Sequence, residues 1–475
     1  MPAPRERADI KVQAERTVLA AVRLPGDRYD FANPFGELAE LTRQAGGVVV
    51  GEVEQRRERP EAGTYMGLGK VDELRLLCDE VGATTIIFDH DLSPKQISKI
   101  EQLTGRKVLD RSELILDIFA SRATTHEAKL QVELAQLEYT YPRLRAMWDH
   151  LERIVGGGGI GGVGTRGPGE QQLEIDRRLV QRRKLALQRE LEEIQQRKRR
   201  AVQQRNVEHF TVGLVGYTNA GKSTLFNTLT TGGAYADDRL FATLMTRTRE
   251  WDLGGGNAVM LSDTVGFVRD LPHNLVASFR ATLEEATHAD LLLIVLDVAD
   301  PAAELHYQTV QSTLDSLFDD VRAREERLHR SAERDGASPV RWQAPQRVLL
   351  LNKVDRLADN RELLVWKSKV PDAIAICALP GKGEATGVGQ EELRLRVLGA
   401  LQGPPIEVEV RVPLRESKAI HAMENRGQVL GRDYETDAVR LRVRIGSRLL
   451  EQIRAGCRAM RVAGAADLEE QGWAK

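Results

Sequence analysis

The sequence predicts an α/β protein: a central, mixed and mostly parallel sheet, with an N-terminal α/β unit, a helical hairpin and a small C-terminal α/β unit attached. Three observations point there. Between 208 and 402, apolar strand-like runs each end in a short polar motif. Ahead of them, two helical stretches carry apolar residues at heptad spacing, the pattern of packed helices. Both ends of the chain hold short β-branched runs that alternate with helical or polar segments.

Composition bounds the reading. A chain of 475 residues suggests about three domains. Hydrophobic residues make up 41%, enough for ordinary cores. Charged residues make up 29% and nearly cancel to −2, so a basic partner surface must be local. Cys78, Cys377 and Cys457 are odd in number and lack metal spacing, which argues against a disulfide framework or a zinc site. MPAPRERADIKVQ has no apolar signal core, and no apolar run reaches about 18 residues. A cytoplasmic protein without membrane insertion, and a monomer, is expected.

Along the chain, TVLAAVRL (17–24) reads as a buried strand, 33–44 as a helix and GGVVVGEVE as a second strand. VDELRLLCDEVG has helical period, TTIIFD is a short strand, and SPKQISKIEQLTG opens a helix with a serine N-cap. Parallel pairing is expected here. TYMGLGKV fails as a phosphate loop, because Thr64 stands where the first glycine belongs and Val71 where a metal-binding hydroxyl belongs; it reads as a turn.

Leu130, Leu134, Leu137, Tyr141, Leu144, Trp148 and Leu151 then repeat at alternating spacings of four and three, with Pro142 expected to kink or break the helix. A second helix, 170–205, carries Leu173, Val180, Leu187, Ile194 and Ala201 in one heptad row. Between 171 and 205 it holds eleven Lys/Arg against five Asp/Glu, densest in QRKRR. A charge run on a helix ordinarily marks a solvated face. The helices are joined by GGGGIGGVGTRGPGE (156–170), nine glycines in fifteen residues. Glycine loses the most backbone freedom on folding. A thin tip beside a basic stem suits entry into an RNA cavity, with the stem contacting phosphates.

The chemistry lies further on. FTVGLVGYTNAGKSTLFNTL is a strand entering Gly216-Tyr217-Thr218-Asn219-Ala220-Gly221-Lys222-Ser223-Thr224, which opens a helix. Small residues let backbone N–H groups surround phosphate oxygens at a helix N-terminus. Lys222 neutralises the β- and γ-phosphates and Ser223 offers a hydroxyl to magnesium. AVMLSDTVGF ends a strand in Asp263, Thr264, Val265 and Gly266. Asp263 can hold magnesium through water, and the Gly266 N–H can sense a γ-phosphate. RVLLLNKVD ends in Asn352, Lys353 and Asp355, whose carboxylate can accept both guanine donors. Cys377, Ala378 and Leu379 follow a fourth strand and can face the guanine carbonyl through their backbone. The reading is a P-loop GTPase domain that binds GTP and GDP. A magnesium-binding threonine is needed in a switch loop, with Thr243, Thr246 and Thr248 as candidates.

Residues 210–270, with GYTNAGKS, DRLFAT and DTVGFVRDLPH, resemble the HflX family of GTPases. ANPFGELAELTRQAGG, the YPRLR helix and the glycine stretch extend the likeness over most of 17–400. The resemblance implies that Thr243 of Phe241-Ala242-Thr243 joins Ser223 on magnesium, and that Lys222, Thr243 and Gly266 form the catalytic set. It implies a factor that binds the large ribosomal subunit, through its RNA, and separates stalled or idle ribosomes. Met245 and Thr246 depart from the Asp-Pro pair usual after that threonine, and Cys377 replaces a more usual serine, which matters little if only its backbone is used.

Phe267 stands where many GTPases place a water-orienting glutamine, so slow intrinsic hydrolysis is expected. Asn219 is either a loop-stabilising amide or, as in some Era-like GTPases, a recruiter of potassium. The expected organisation is 1–122 N-terminal α/β, 123–205 hairpin, 206–402 GTPase and 403–475 C-terminal α/β. Two rival readings are a switch in ribosome assembly or RNA modification, and a regulatory adaptor for a protein partner.

Overall fold

The computed structural model describes residues 15–27, 29–156, 178–197, 209–230, 246–269, 286–334, 342–379, 388–457 and 459–463. Strands β1 (Arg16–Arg23), β2 (Val48–Arg56), β3 (Thr85–Phe88) and β4 (Lys107–Asp110) form the first sheet, in the order β2-β1-β3-β4 and wholly parallel. The crossovers are helices α1 (Gly36–Gln44), α2 (Leu68–Val81) and α3 (Pro94–Thr104), with α4 (Arg111–Arg122) after β4. Ser93 caps α3 in a reciprocal capping box with Gln96. In TYMGLGKV, Thr64 to Gly67 make the turn, with Tyr65 at φ 61°, and Leu68 to Val71 open α2.

Both faces of this sheet are covered at its centre, so the inner strands β1 and β3 are buried on both sides, while the edge strand β2 is largely exposed. In β1, Leu19 and Ala21 join one core, and Val18, Ala20 and Val22 the other. The first of these cores continues into the central sheet, taking in Val215, Phe267, Leu292, Ile294 and Leu296. The two units are thus packed through shared apolar contacts.

Helix α5 (His126–Gly156) continues through Pro142, so the chain does not break there. A proline costs its helix one hydrogen bond and a carbonyl clash, which this 31-residue helix absorbs. Helix α6 (178–197) packs beside it. Leu130, Leu134, Leu187 and Leu191 are buried together, with Leu137 and Ile194 at the margin. His126 meets Glu190 at 2.8 Å, and Arg183 meets Glu133 at 2.7 Å, so the helices are antiparallel. The glycine stretch from 157 on, Leu173, Ala201 and Lys198–Arg200 lie outside the described residues.

The central sheet has the order β10-β9-β8-β5-β7-β6, from β5 (Thr211–Gly216), β6 (Arg247–Gly254), β7 (Asn257–Asp263), β8 (Leu291–Asp297), β9 (Gln346–Asn352) and β10 (Ile374–Ala375). Only β6, joined to β7 by a hairpin, runs antiparallel. Helices α7 (Lys222–Leu229), α8 (Ala303–Arg334), α9 (Arg361–Lys369) and α10 (Gln390–Gln402) flank it. The charged run from Val321 to Arg334 is the second half of α8. The last unit is a four-stranded antiparallel sheet, β12 (Gln428–Tyr434), β13 (Ala438–Gly446), β11 (Pro405–Pro413) and β14 (Arg461–Ala463), covered by α11 (Ser417–Arg426) and α12 (Ser447–Gly456). No described helix is long and apolar enough to cross a membrane.

Candidate functional site

The predicted motifs converge at the carboxyl edge of the central sheet. Its middle strand, β5, delivers Gly216 to the loop, and α7 begins at Lys222. Gly221, the residue before α7, has φ +94°, and a Cβ there would collide with the Asn352 amide. Only glycine fits both demands. Asn219 also has positive φ, 61°, and its side chain is exposed.

Lys222 is buried, and its Nζ donates to the carbonyls of Gly216 at 3.1 Å and Tyr217 at 2.7 Å. Burial pulls its pKa down to about 8; Lys353 adds to the fall and Asp263 opposes it. An ammonium held among carbonyls at a helix N-terminus is ready to exchange them for phosphate oxygens. The Ser223 hydroxyl donates to Asp263 Oδ2 at 2.7 Å, which joins the first turn of α7 to the end of β7 at one pair of hard oxygen donors. Such donors suit Mg²⁺, which binds one or two protein oxygens and takes the rest from phosphates and water. Thr264 turns inward, its hydroxyl donating to the Leu214 carbonyl, so only its backbone faces the loop.

Phe267 lies in the shared core at 1% exposure, and its backbone pairs with the loop: Phe267 N–H donates to Gly216 O at 3.0 Å and Thr218 N–H to Phe267 O at 2.8 Å. The side chain at the glutamine position therefore contributes packing. Thr224 lies in the first turn of α7. Phe241, Ala242 and Thr243 lie outside the described residues, as does Met245. Among the other threonine candidates, Thr248 lies in β6, where its hydroxyl is 3.0 Å from Ser262 Oγ.

At the other end of the site, Asn352 ties two motifs together. Its Nδ2 donates to Ala220 O at 2.7 Å and its Oδ1 accepts from Ala378 N–H at 3.0 Å. Lys353, at φ 63°, pairs with Asp297 at 2.7 Å. Asp355 is exposed in the turn Val354–Arg356. The Cys377 side chain has a contact of its own: its thiol donates to Asp355 Oδ1 at 3.2 Å. Burial pushes the Cys377 thiol up, so it stays protonated and able to donate. Thr228 holds the same turn through Ala378 O at 2.7 Å, and Leu379 is exposed beyond it.

Sequence reasoning missed the other side of the loop. Tyr217 points away from the phosphate site; its hydroxyl donates to Glu37 of α1 and accepts from Arg269 N–H at 2.9 Å. Its ring stacks on His306 with centroids 3.9 Å apart. Arg269, Arg111 and Arg23 all reach Asp89, at 3.1, 2.7 and 2.8 Å. Arg111 also meets Glu37 at 2.9 Å. Burial alone would raise both carboxyls, but the guanidiniums outweigh it and hold Asp89 and Glu37 below their ordinary pKa values. Residues from 23 to 269 share this cluster, and no local spacing announces it.

The chain matches family models described as GTP-binding GTPase N-terminal (residues 33–120), GTP-binding GTPase middle region (122–205) and 50S ribosome-binding GTPase (211–326). It is similar to the GTPase HflX of Lacrimispora saccharolytica, 37% identical over 451 residues, covering 94% of this chain and 97% of that one. The GTPase HflX of Magnetococcus marinus is 38% identical over 424 residues, covering 88% and 90%. Among solved structures, a GTP-binding protein from Sulfolobus solfataricus in complex with GDP aligns over 81% of this chain and 98% of its own, at 25% identity and a TM-score of 0.40.

Proposed function

The chain belongs to the HflX family of GTPases, and from that premise we propose that it associates with the large ribosomal subunit and uses GTP to promote the dissociation of stalled or idle ribosomes. One observation carries the reading. The ion pairs His126–Glu190 and Arg183–Glu133 fix the antiparallel register of α5 and α6, and both are centred on residue 158. In the sequence, residue 158 belongs to the glycine-rich stretch that joins the two helices, which supports reading that stretch as the hairpin's tip. A basic stem ending in a thin segment suits a narrow RNA wall, where phosphates attract the stem and bulk is excluded. The family-model description of 50S ribosome binding supports the same partner.

In this reading the chain acts as four units, 1–122, 123–205, 206–402 and 403–475, in the cytoplasm and as a monomer. Gly216 to Thr224 cradle the phosphates, with Lys222 on the β- and γ-groups. Asp263 to Gly266 sense the γ-phosphate, Asn352 to Asp355 read guanine, and Cys377 to Leu379 close over its carbonyl. Ser223 and Thr243 would hold Mg²⁺, with Asp263 behind it. The ion would supply charge neutralisation to the phosphates. Ser223 Oγ and Asp263 Oδ2, 2.7 Å apart, are the donor set that supports this. With Phe267 packed in the core, no side chain at that position can orient water, so a ribosomal group or a monovalent cation at Asn219 completes the reaction.

The test is sedimentation of whole ribosomes with the protein and either GDP, GTP or a non-hydrolysable GTP analogue. Conversion of whole ribosomes to subunits with GTP or its analogue, and not with GDP, is expected. Ribosomes that stay whole, with no protein on the large subunit, would overturn the reading. Binding confined to immature particles would replace it with a role in assembly.

A further inference from the structure

Helix α4 begins at the carboxyl edge of the first sheet, directly after β4. Asp110 caps it: its Oδ1 accepts from Glu113 N–H at 2.9 Å and its Oδ2 from Leu92 N–H at 3.1 Å. The same Oδ1 accepts the hydroxyl of Tyr139, which lies on α5. Val132 and Ala135 of α5 are buried in the core that the first and central sheets share, and Tyr139, half-buried, packs against that core from the same face of the helix. Tyr139 therefore fastens the root of the helix pair to the cap of α4.

The next residue holds the nucleotide-binding unit. Arg111 pairs with Asp89 at 2.7 Å and with Glu37 at 2.9 Å, and it donates to the Arg269 carbonyl at 3.2 Å. Arg269 stands three residues after Gly266. Its N–H donates to the Tyr217 hydroxyl at 2.9 Å, and Tyr217 belongs to the phosphate loop. One peptide unit, about 3.8 Å between Cα atoms, thus joins the contact with α5 to the contact with the segment after Gly266. Asp110, Arg111 and Asp89 are all buried. Hydrogen bonds among buried polar groups are costly to leave unmade, so such a network holds its geometry. Coupling between distant sites travels through contiguous contacts of this kind.

We propose that Asp110 and Tyr139 are positioning residues for GTP hydrolysis: they fasten the root of the helix pair to the helix terminus that holds Arg269, so that seating the pair on the large subunit sets the segment after Gly266 and raises turnover. This rests on the ribosomal reading above and names the contact through which the subunit acts. Removing the contact should lower the rate that bound subunits elicit. It should leave turnover by the free protein unchanged, because neither residue touches the nucleotide site. A merely structural role for Tyr139 would instead change how tightly the subunit is bound, and leave the rate at saturation as it was.

The test follows GTP turnover by the full-length protein as large subunits are titrated in, for the parent, Tyr139→Phe, Asp110→Asn and Glu133→Gln, with thermal unfolding in parallel. Tyr139→Phe keeps the packed ring and removes only the hydroxyl, so the fold is retained. Its plateau rate should fall about fivefold or more, the lower end of typical coupling between sites, while the half-plateau concentration and the rate without subunits stay within about twofold. Asp110→Asn has one accepting oxygen in place of two and should lower the plateau in the same direction. Glu133→Gln breaks the ion pair with Arg183 in the same helix pair, away from Asp110, and should keep the parent plateau. An undiminished plateau in Tyr139→Phe, an equal fall in Glu133→Gln, or a shift of the half-plateau concentration alone overturns the proposal. So does a parent that binds subunits without stimulation; these results leave the ribosomal reading standing. A parent that does not bind large subunits at all overturns both.

Discussion

Asp355→Asn tests the base-recognition end of the site most directly. Asp355 is exposed, and its side chain takes one thiol hydrogen bond from Cys377. Replacing it with an amide leaves no buried charge uncompensated, so stability should change by no more than about 0.5 kcal/mol. Nucleotide binding should suffer more. With guanine in place, the carboxylate would accept from N1–H and the exocyclic amine, and an amide oxygen accepts more weakly while the amide nitrogen cannot accept at all. Losing one charge-assisted bond costs about 1.5–3 kcal/mol, which is roughly ten- to hundredfold in affinity. Xanthine carries an oxygen where guanine carries the amine, and the introduced amide can donate to it. Titration calorimetry with GDP and xanthosine diphosphate reads both effects. GDP affinity within about twofold of the parent, or no gain for the xanthine nucleotide, would refute the assignment of Asp355 to guanine.

Two further outcomes follow from the same site. Lys222 has a pKa of about 8 in the nucleotide-free protein, lowered by burial. Between that value and the ordinary lysine range the unfolded chain binds more protons, so the free protein gains stability as pH rises, while phosphate binding must restore the proton. GDP affinity should therefore fall as pH rises from 7 through 8.5, and Lys222→Met, although weak, should lose that slope; a parallel slope in both proteins would refute it. If the exposed Asn219 recruits a monovalent cation, replacing potassium with sodium should slow GTP turnover, as phosphate release would show. Equal rates in the two salts would leave Asn219 as a loop-stabilising amide.

The central sheet was legible because each of its motifs is local: a strand, a turn and a few polar residues within about ten positions, each a signal that short-range chemistry sets. The helix pair was legible through its heptads, although Pro142 suggested a break that the long helix does not show. The C-terminal sheet was only half visible. Strand β12 lies at the sheet edge with nearly every side chain exposed, so it lacks the alternation that reveals β11 and β13. The cluster around Asp89 was invisible for a different reason. Arg23, Glu37, Arg111 and Arg269 are brought together by the packing of two units, and each alone looks like an ordinary surface charge. Tyr217 has a second role that its place in the phosphate loop does not announce: its side chain faces away from the loop and meets Glu37.

The stacking of His306 on Tyr217 places the root of α8 on the phosphate loop itself. That helix continues to Arg334, and at about 1.5 Å per residue its far end lies roughly 40 Å from His306. Val310, Leu314, Leu317 and Phe318 fasten the first half of the rod into the core. The loop, the sheet and that half of the helix therefore turn as one body, and the stretch beyond Phe318 is a spar that carries the body's orientation roughly 24 Å outward.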